Sequence, residues 1–72
     1  MSDGNAEQEI DRFIGYIRRT HGLIIAELTA ENAIRRSVLL GGVIEVKGRD
    51  AATGWPRSVG IRYEDILEAI RD

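Results

Sequence analysis

Apolar and polar residues alternate along two short stretches in the second half of the chain. Residues 43–47 read VIEVK, and residues 58–63 read SVGIRY. Alternation with a period of two is typical of strands that bury one face and expose the other. Between the stretches, Gly54 can adopt positive φ and Pro56 has no N–H for a ladder hydrogen bond. The pattern predicts a β-hairpin over residues 43–63. Its predicted apolar face consists of Ile44, Val46, Val59, Ile61 and Tyr63.

Three segments with helical spacing surround the predicted hairpin. The first has apolar residues three and four apart, with an N-cap predicted at Asn5 and a left-handed stop at Gly22. The second is predicted to begin after an N-cap at Thr29 and to end at the two glycines 41–42, and the third to open at Glu64. The predicted apolar faces are Ile10, Phe13, Ile14 and Ile17 in the first helix, Ala30, Ala33, Ile34, Ser37 and Val38 in the second, and Ile66, Leu67 and Ile70 in the third.

Residues 23–28, which read LIIAEL, are open to two interpretations, because a short apolar run is compatible with a buried strand and with a connector. A two-stranded ribbon is marginal on its own in water, so the apolar face of the hairpin needs the helices. The predicted fold class is therefore α+β, in the order α-α-β-β-α, with helices covering one face of the hairpin. We expect residues 1–5 to form a flexible N-terminus and residues 6–72 to form a single domain.

The composition limits the range of functions. The chain has 72 residues, a formal net charge of -2 and no cysteine. This charge balance predicts no bulk attraction to nucleic acid or to an anionic membrane, and the lack of cysteine excludes disulfides and thiolate zinc sites. No apolar run has the length of a membrane span. We therefore expect a cytoplasmic protein that does not bind membranes by itself.

No set of residues has a catalytic spacing. His21 is the single histidine, and we expect it to lie at a helix C-terminus. The helix dipole favours a positive charge at that end. Glu64, Asp65 and Glu68 are most simply a solvated helix face rather than an acid–base pair. The chain also lacks a glycine-rich phosphate-binding motif. We expect no catalytic residue, no metal ligand and no enzymatic activity in this chain alone.

A group of cations lies along the predicted hairpin. Alternation places Lys47, Arg49 and Arg62 on its outer face, and Trp55 lies in the loop. A basic ribbon with an aromatic residue can bind single-stranded nucleic acid, but we favour an ordinary charged exterior. Trp55 either folds back over the helices or marks a contact with another protein, because an exposed indole carries a large apolar area. The candidate interaction surface comprises Lys47, Arg49, Trp55, Arg57 and Arg62.

Two motifs and a following helix resemble a known family. Residues 16–31 read YIRRTHGLIIAELTAE, and residues 44–57 read IEVKGRDAATGWPR. Residues 64–70 read EDILEAI. In this order they are similar to a segment of the MreB and Mbl bacterial actins, where the hairpin reads close to EVRGRDLVTGLPK and the next helix EILEAL. The resemblance covers nearly the whole chain from Ile10 onward, and the two ordered motifs make it specific.

The resemblance implies that the chain is the small outer subdomain IIB, the counterpart of actin subdomain 4. Members of the family bind and hydrolyse ATP with magnesium and polymerise into filaments that determine cell shape. Subdomain IIB caps one side of the nucleotide cleft and contributes to contacts between subunits. The implied partners are the remaining subdomains or neighbouring subunits of an actin-like filament, with a homodimer as a further possibility. For this chain alone the resemblance implies no catalysis and no cofactor.

One stretch of the resemblance concerns the nucleotide. In the family, the helix that starts Thr-Ala-Glu touches the adenosine and has a lysine three residues after the glutamate. Glu31 matches the acidic position, so the resemblance makes it a candidate cofactor-binding residue. Ile34 stands where the lysine is expected, and Arg35 is the neighbouring cation that can substitute for it.

Overall fold

The structure, a computed structural model, describes residues 2–71, with side chains described for residues 6–71. Its elements in chain order are α1 Ser2–His21, β1 Leu23–Ile24, α2 Glu27–Leu40, β2 Val43–Asp50, β3 Pro56–Arg62 and α3 Tyr63–Ile70. The three strands form one antiparallel sheet in the order β1-β2-β3. The predicted α+β class and the hairpin are confirmed. The prediction of one domain over residues 6–72 remains a prediction.

The undecided segment 23–28 divides between two elements. Leu23 and Ile24 form a two-residue strand that pairs with Asp50 and Arg49 of β2. The chain leaves the sheet after Ile24, and the extended backbone of Ala26 precedes α2. Residues 23–28 are thus a short edge strand followed by the first residues of a helix.

Two predicted helix starts are wrong. α1 begins at Ser2, before the predicted cap at Asn5, whose side chain lies outside the described residues. α2 begins at Glu27 rather than after Thr29, and its first turn closes through a 3.0 Å bond from Ala30 N–H to the carbonyl oxygen of Ala26. No side chain caps α2, so the preference of threonine for the cap position did not decide where it starts.

The predicted helix ends are correct. Gly22 has φ +62° and donates its N–H to Arg18 at 3.0 Å, and Gly41 has φ +66° and donates to Ser37 at 2.9 Å. Each glycine therefore satisfies a helix carbonyl in a left-handed conformation that other residues rarely adopt.

The hydrophobic core lies between one face of the sheet and the three helices. Ile44 pairs with Ile61 and Val46 pairs with Val59, so the apolar residues of β2 and β3 share that face. Alternate positions on the other face are exposed. Tyr63 departs from the predicted hairpin face, because it is the first residue of α3. The buried apolar residues are Phe13, Ile17, Leu23, Ile25, Ala30, Ala33, Ile44, Val46, Ile61 and Ile66.

The inner face of α2 is narrower than predicted. Ala30, Ala33 and Ser37 are buried, Ile34 is half-buried, and Val38 is 63% exposed. The buried positions follow three- and four-residue spacing, and Val38 lies about 100° around the helix from Ser37. Val38 therefore faces solvent, and its predicted place in the core is wrong.

The end of β1 lies close to the backbone of β2 at Gly48. A Cβ added to Gly48 would collide with the carbonyl oxygen of Ile24 and would lie 2.7 Å from Cγ2 of Ile25. The carbonyl belongs to the backbone and cannot move without opening the pairing of β1 with β2. A residue without a side chain is therefore required at position 48.

We predict that Gly48→Ala lowers the free energy of unfolding by roughly 1–3 kcal/mol, because overpacking at this site displaces backbone. Urea denaturation followed by circular dichroism measures this change. Gly60→Ala is the matched control, since its Cβ would meet only the Val43 side chain, at 3.1 Å. Equal stability of the two variants would contradict the role of Gly48.

Candidate interaction surface

The outer face of the sheet carries three of the predicted cations at two separate places. Lys47 lies opposite Ser58, and Arg49 lies opposite Pro56, so both occupy the half of the hairpin near the loop. Arg62 lies at the other end of β3, opposite Val43, and forms a 3.5 Å ion pair with Asp65. The structure thus brings Lys47 and Arg49 together and separates Arg62 from them.

Glu45 lies between these two basic regions on the outer face. It is opposite Gly60, and its carboxylate accepts a 3.1 Å hydrogen bond from the Ser58 hydroxyl. Glu45 therefore interrupts the positive charge of the outer face, which does not form a continuous basic stripe.

Arg57 lies on the opposite face from the other cations, because it is in register with Gly48. Its guanidinium Nε lies 3.1 Å from Oδ1 of Asp50, and Nη2 donates to the carbonyl oxygens of His21 and Gly22. A cation at a helix C-terminus satisfies free carbonyl groups and interacts favourably with the helix dipole. Arg57 thus joins β3 to the end of α1.

Asp50 organises the loop that follows β2. One carboxylate oxygen accepts hydrogen bonds from the backbone N–H groups of Ala52 and Thr53, each at 3.0 Å, and from the Thr53 hydroxyl at 3.2 Å. The Thr53 backbone bond is the largest cause that lowers the pKa of Asp50, and the Arg57 guanidinium acts in the same direction. Sequence reasoning missed this residue, although an aspartate that ends a strand before a glycine-containing loop is typical of such a turn.

Trp55 is presented to solvent by this loop. Its side chain is 74% exposed, so it does not fold back over the helices. The backbone N–H of Trp55 donates to the Thr53 hydroxyl at 3.2 Å. The backbone carbonyl of Trp55 accepts from the backbone N–H of Asp50 at 2.8 Å. The Arg49 guanidinium donates to the carbonyl of Gly54 at 3.0 Å. The indole is therefore carried on a loop that is hydrogen-bonded on both sides.

A second exposed surface was not predicted from the sequence. Four large apolar residues at the end of α2 and the start of β2 are 63–76% exposed, and we call them the α2-end patch: Val38, Leu39, Leu40 and Val43. Large exposed apolar residues that lie close together along the chain are a candidate contact site with another molecule. The run Val38–Leu40 could have indicated this exposed surface, since three consecutive residues of a helix cannot all face one core.

The predicted nucleotide residue lies on α2. Glu31 is exposed and forms a 3.1 Å ion pair with Arg35, one helical turn further on. Both residues line a shallow cleft of about 170 Å³ between α1 and α2, together with half-buried Ile34. The carboxylate and the substitute cation are thus paired with each other.

The described part of the chain offers no cluster of metal ligands: among residues 6–71, no three histidine, aspartate or glutamate side chains come together as metal ligands would. None of the helices in this range combines the length and apolar character of a membrane span.

Curated proteins of known name match the sequence of this chain. No protein-family model matches the chain. The cell shape-determining protein Mbl of Bacillus cereus is 34% identical over an alignment 64 residues long, and the match covers 82% of this chain and 19% of that protein. The cell shape-determining protein MreB of Escherichia coli is 39% identical over an alignment 71 residues long, and the match covers 86% of this chain and 20% of that protein. The chain matches one segment of an MreB-like actin.

A solved structure agrees with this assignment at the level of the fold. MreB5 of Spiroplasma citri bound to AMPPNP has a TM-score of 0.77 over 90% of this chain and 21% of that chain, at 23% identity. The MreB-like chain spans about one fifth of the length of the curated relatives it matches.

We predict that the interaction of Asp50 with its partners makes stability depend on pH. Its pKa is lowered in the folded state, so its contribution is complete above the unfolded value of 3.8 and is lost as the pH falls through the folded value. Asp50→Asn should reduce the urea midpoint at pH 7, and the gap from the unchanged protein should narrow as the pH falls below 3.8 and through the folded value.

The matched control for this prediction is Asp11→Asn, which removes an exposed carboxylate from α1. It should leave the urea midpoint at pH 7 nearly unchanged. A constant gap between Asp50→Asn and the unchanged protein at every pH would contradict the proposed ionic contribution.

Proposed function

We propose that this chain acts by protein–protein contact as a segment of an MreB-like actin in a cell shape-determining filament, without catalysis of its own. The sequence match to cell shape-determining proteins supports a role in a filament of that kind. The observation that carries the contact mechanism is the α2-end patch, whose four members are 63–76% exposed.

The α2-end patch favours contact because of its free-energy cost in water. Burial of apolar surface contributes about 25 cal/mol per Å², so leaving four aliphatic side chains uncovered forgoes several kcal/mol. Covering them requires either another part of a longer protein or another molecule. The curated relatives are about five times as long as the matched segment, which supports the first source. A neighbouring subunit is the second, and a second copy of this chain is the partner that an isolated preparation offers.

The proposal assigns no ATP binding to this chain alone. Glu31 is engaged by Arg35, and an apolar side chain stands at position 34, where the MreB resemblance leads us to expect a lysine. In this proposal, ATP, magnesium and hydrolysis belong to a complete actin-like molecule, and the filament is cytoplasmic.

The alternative function is binding of single-stranded nucleic acid through Trp55, Lys47 and Arg49. The exposure of the indole beside two cations favours it. The net charge of -2 and the position of Glu45 between Lys47 and Arg62 weigh against it. Its signature would be oligonucleotide binding that weakens steeply with salt.

We predict that the isolated chain self-associates through the α2-end patch. Light scattering over a range of concentrations should give a mass that rises towards that of a dimer. Leu39→Gln combined with Leu40→Gln should keep the chain monomeric, because the change removes apolar surface that association would cover.

The matched control for self-association is Leu28→Gln, which changes another leucine of α2 that is 67% exposed but lies outside the patch. This variant should associate as the unchanged chain does. A monomer at all concentrations, or equal loss of association in the control, would contradict the proposal.

We predict that the isolated chain does not bind ATP with micromolar affinity. Calorimetric titration with ATP and magnesium should give no saturable heat, because the two charged groups on α2 are paired with each other. Ile34→Glu should likewise give no saturable heat, because a negative side chain at this position does not attract ATP. A single site of micromolar affinity in the unchanged chain would contradict the assignment of nucleotide binding to other parts of the molecule.

A further inference from the structure

In the part of the chain that the structure describes, the edge of β2 that faces away from β3 has a partner strand only at its end. Bonds from Asp50 N–H to Trp55 and from Tyr63 N–H to Gly42 show that even-numbered residues of this strand bond towards β3. Odd-numbered residues therefore direct their backbone N–H and C=O groups to the opposite edge. Among them Arg49 is paired with β1, and within residues 2–71 no strand is paired with the edge at residues 43, 45 and 47.

This free edge lies in a groove whose other wall is α2. Thr29, Asn32 and Arg36 of α2 face Glu45 and Lys47 across a cleft of about 370 Å³. A second cleft, of about 510 Å³, shares Thr29 and Lys47 with the first and continues past the end of β1 to Ile24, Arg49 and Pro56. We call the two clefts together the β2-edge groove. A strand of five residues, roughly 17 Å long, matches the free stretch 43–47.

The groove has a positive lining. Its cations are Arg36, Lys47 and Arg49, and none of them forms an ion pair among the described residues. The single acidic residue that lines it, Glu45, directs its carboxylate to the Ser58 hydroxyl on the β3 side. The charge that complements this groove is therefore negative.

We propose that the β2-edge groove binds an extended acidic segment of a partner protein, which adds to the sheet as a strand alongside β2. The N–H and C=O groups of residues 43, 45 and 47 form the ladder, and the carboxylates of the segment lie beside Arg36, Lys47 and Arg49. Alternating backbone donors and acceptors complement a polypeptide strand and not a nucleic acid, which carries no such ladder. This site shares only Val43 with the α2-end patch, and its ladder and cations do not depend on self-association.

The probe for this proposal is a labelled, end-capped peptide of ten residues in which glutamate and valine alternate. Fluorescence anisotropy should detect its binding to the full chain. Arg36→Gln should weaken binding roughly fivefold, since it removes one cation from the groove. Arg35→Gln is the matched control, because Arg35 is its neighbour on α2 but pairs with Glu31 outside the groove. The control should bind within about twofold of the unchanged chain.

A second probe separates strand addition from simple charge attraction. The same peptide with every backbone amide N-methylated keeps its charge but has no N–H to donate to a ladder on either edge, and it should not bind. Binding of the unmodified peptide should also slow hydrogen exchange at the N–H groups of Glu45 and Lys47.

Each remaining outcome overturns the proposal. Equal binding of the methylated peptide would show charge attraction alone, and tighter binding of oligothymidine would favour nucleic acid. Absence of peptide binding, or equal loss in the two arginine variants, would exclude the groove as the site. The chain with Leu39 and Leu40 changed to glutamine should still bind the peptide, so failure of self-association does not affect the result.

Discussion

The absence of a side chain at Gly48 is the constraint on which the arrangement of this domain depends. Because no Cβ stands there, the backbone of Ile24 can lie directly against β2 and Ile25 can enter the core. The pairing of β1 fixes where α1 ends and where α2 begins. It also fixes where the chain leaves the sheet, and so determines the end of the β2-edge groove. One glycine thus couples the core to the β2-edge groove.

Much of the fold could be predicted from the sequence, because periodicity reflects which face of an element is buried. The alternation around Ile44 and Val46 predicted the hairpin, and Gly22 and Gly41 marked helix ends through a conformation that glycine adopts most readily. The helix starts could not be predicted from Asn5 and Thr29. A side-chain cap is worth only about 1 kcal/mol, and tertiary packing can place the first turn elsewhere.

The placement of the candidate surface residues could be predicted only where it depends on residues that are adjacent in the sequence. Alternation alone placed Lys47, Arg49 and Arg62 on the outer face. The bonds of Arg57 to the end of α1 join residues 35 and 36 positions apart, and no local pattern contains them. The free edge of β2 was equally hidden, since it depends on how early β1 leaves the sheet. The resemblance to MreB supplied the class of protein but none of these contacts.

The loop at the tip of the hairpin has a thermodynamic consequence. Hydrogen bonds of Asp50, Thr53 and Arg57 hold the loop together and connect it to the end of α1. The conformation of the loop is therefore largely fixed in the absence of a partner. A flexible loop would lose conformational entropy on association, and that loss would weaken binding. The indole of Trp55 is held by a preorganised loop, so more of the free energy gained by covering it remains available as affinity.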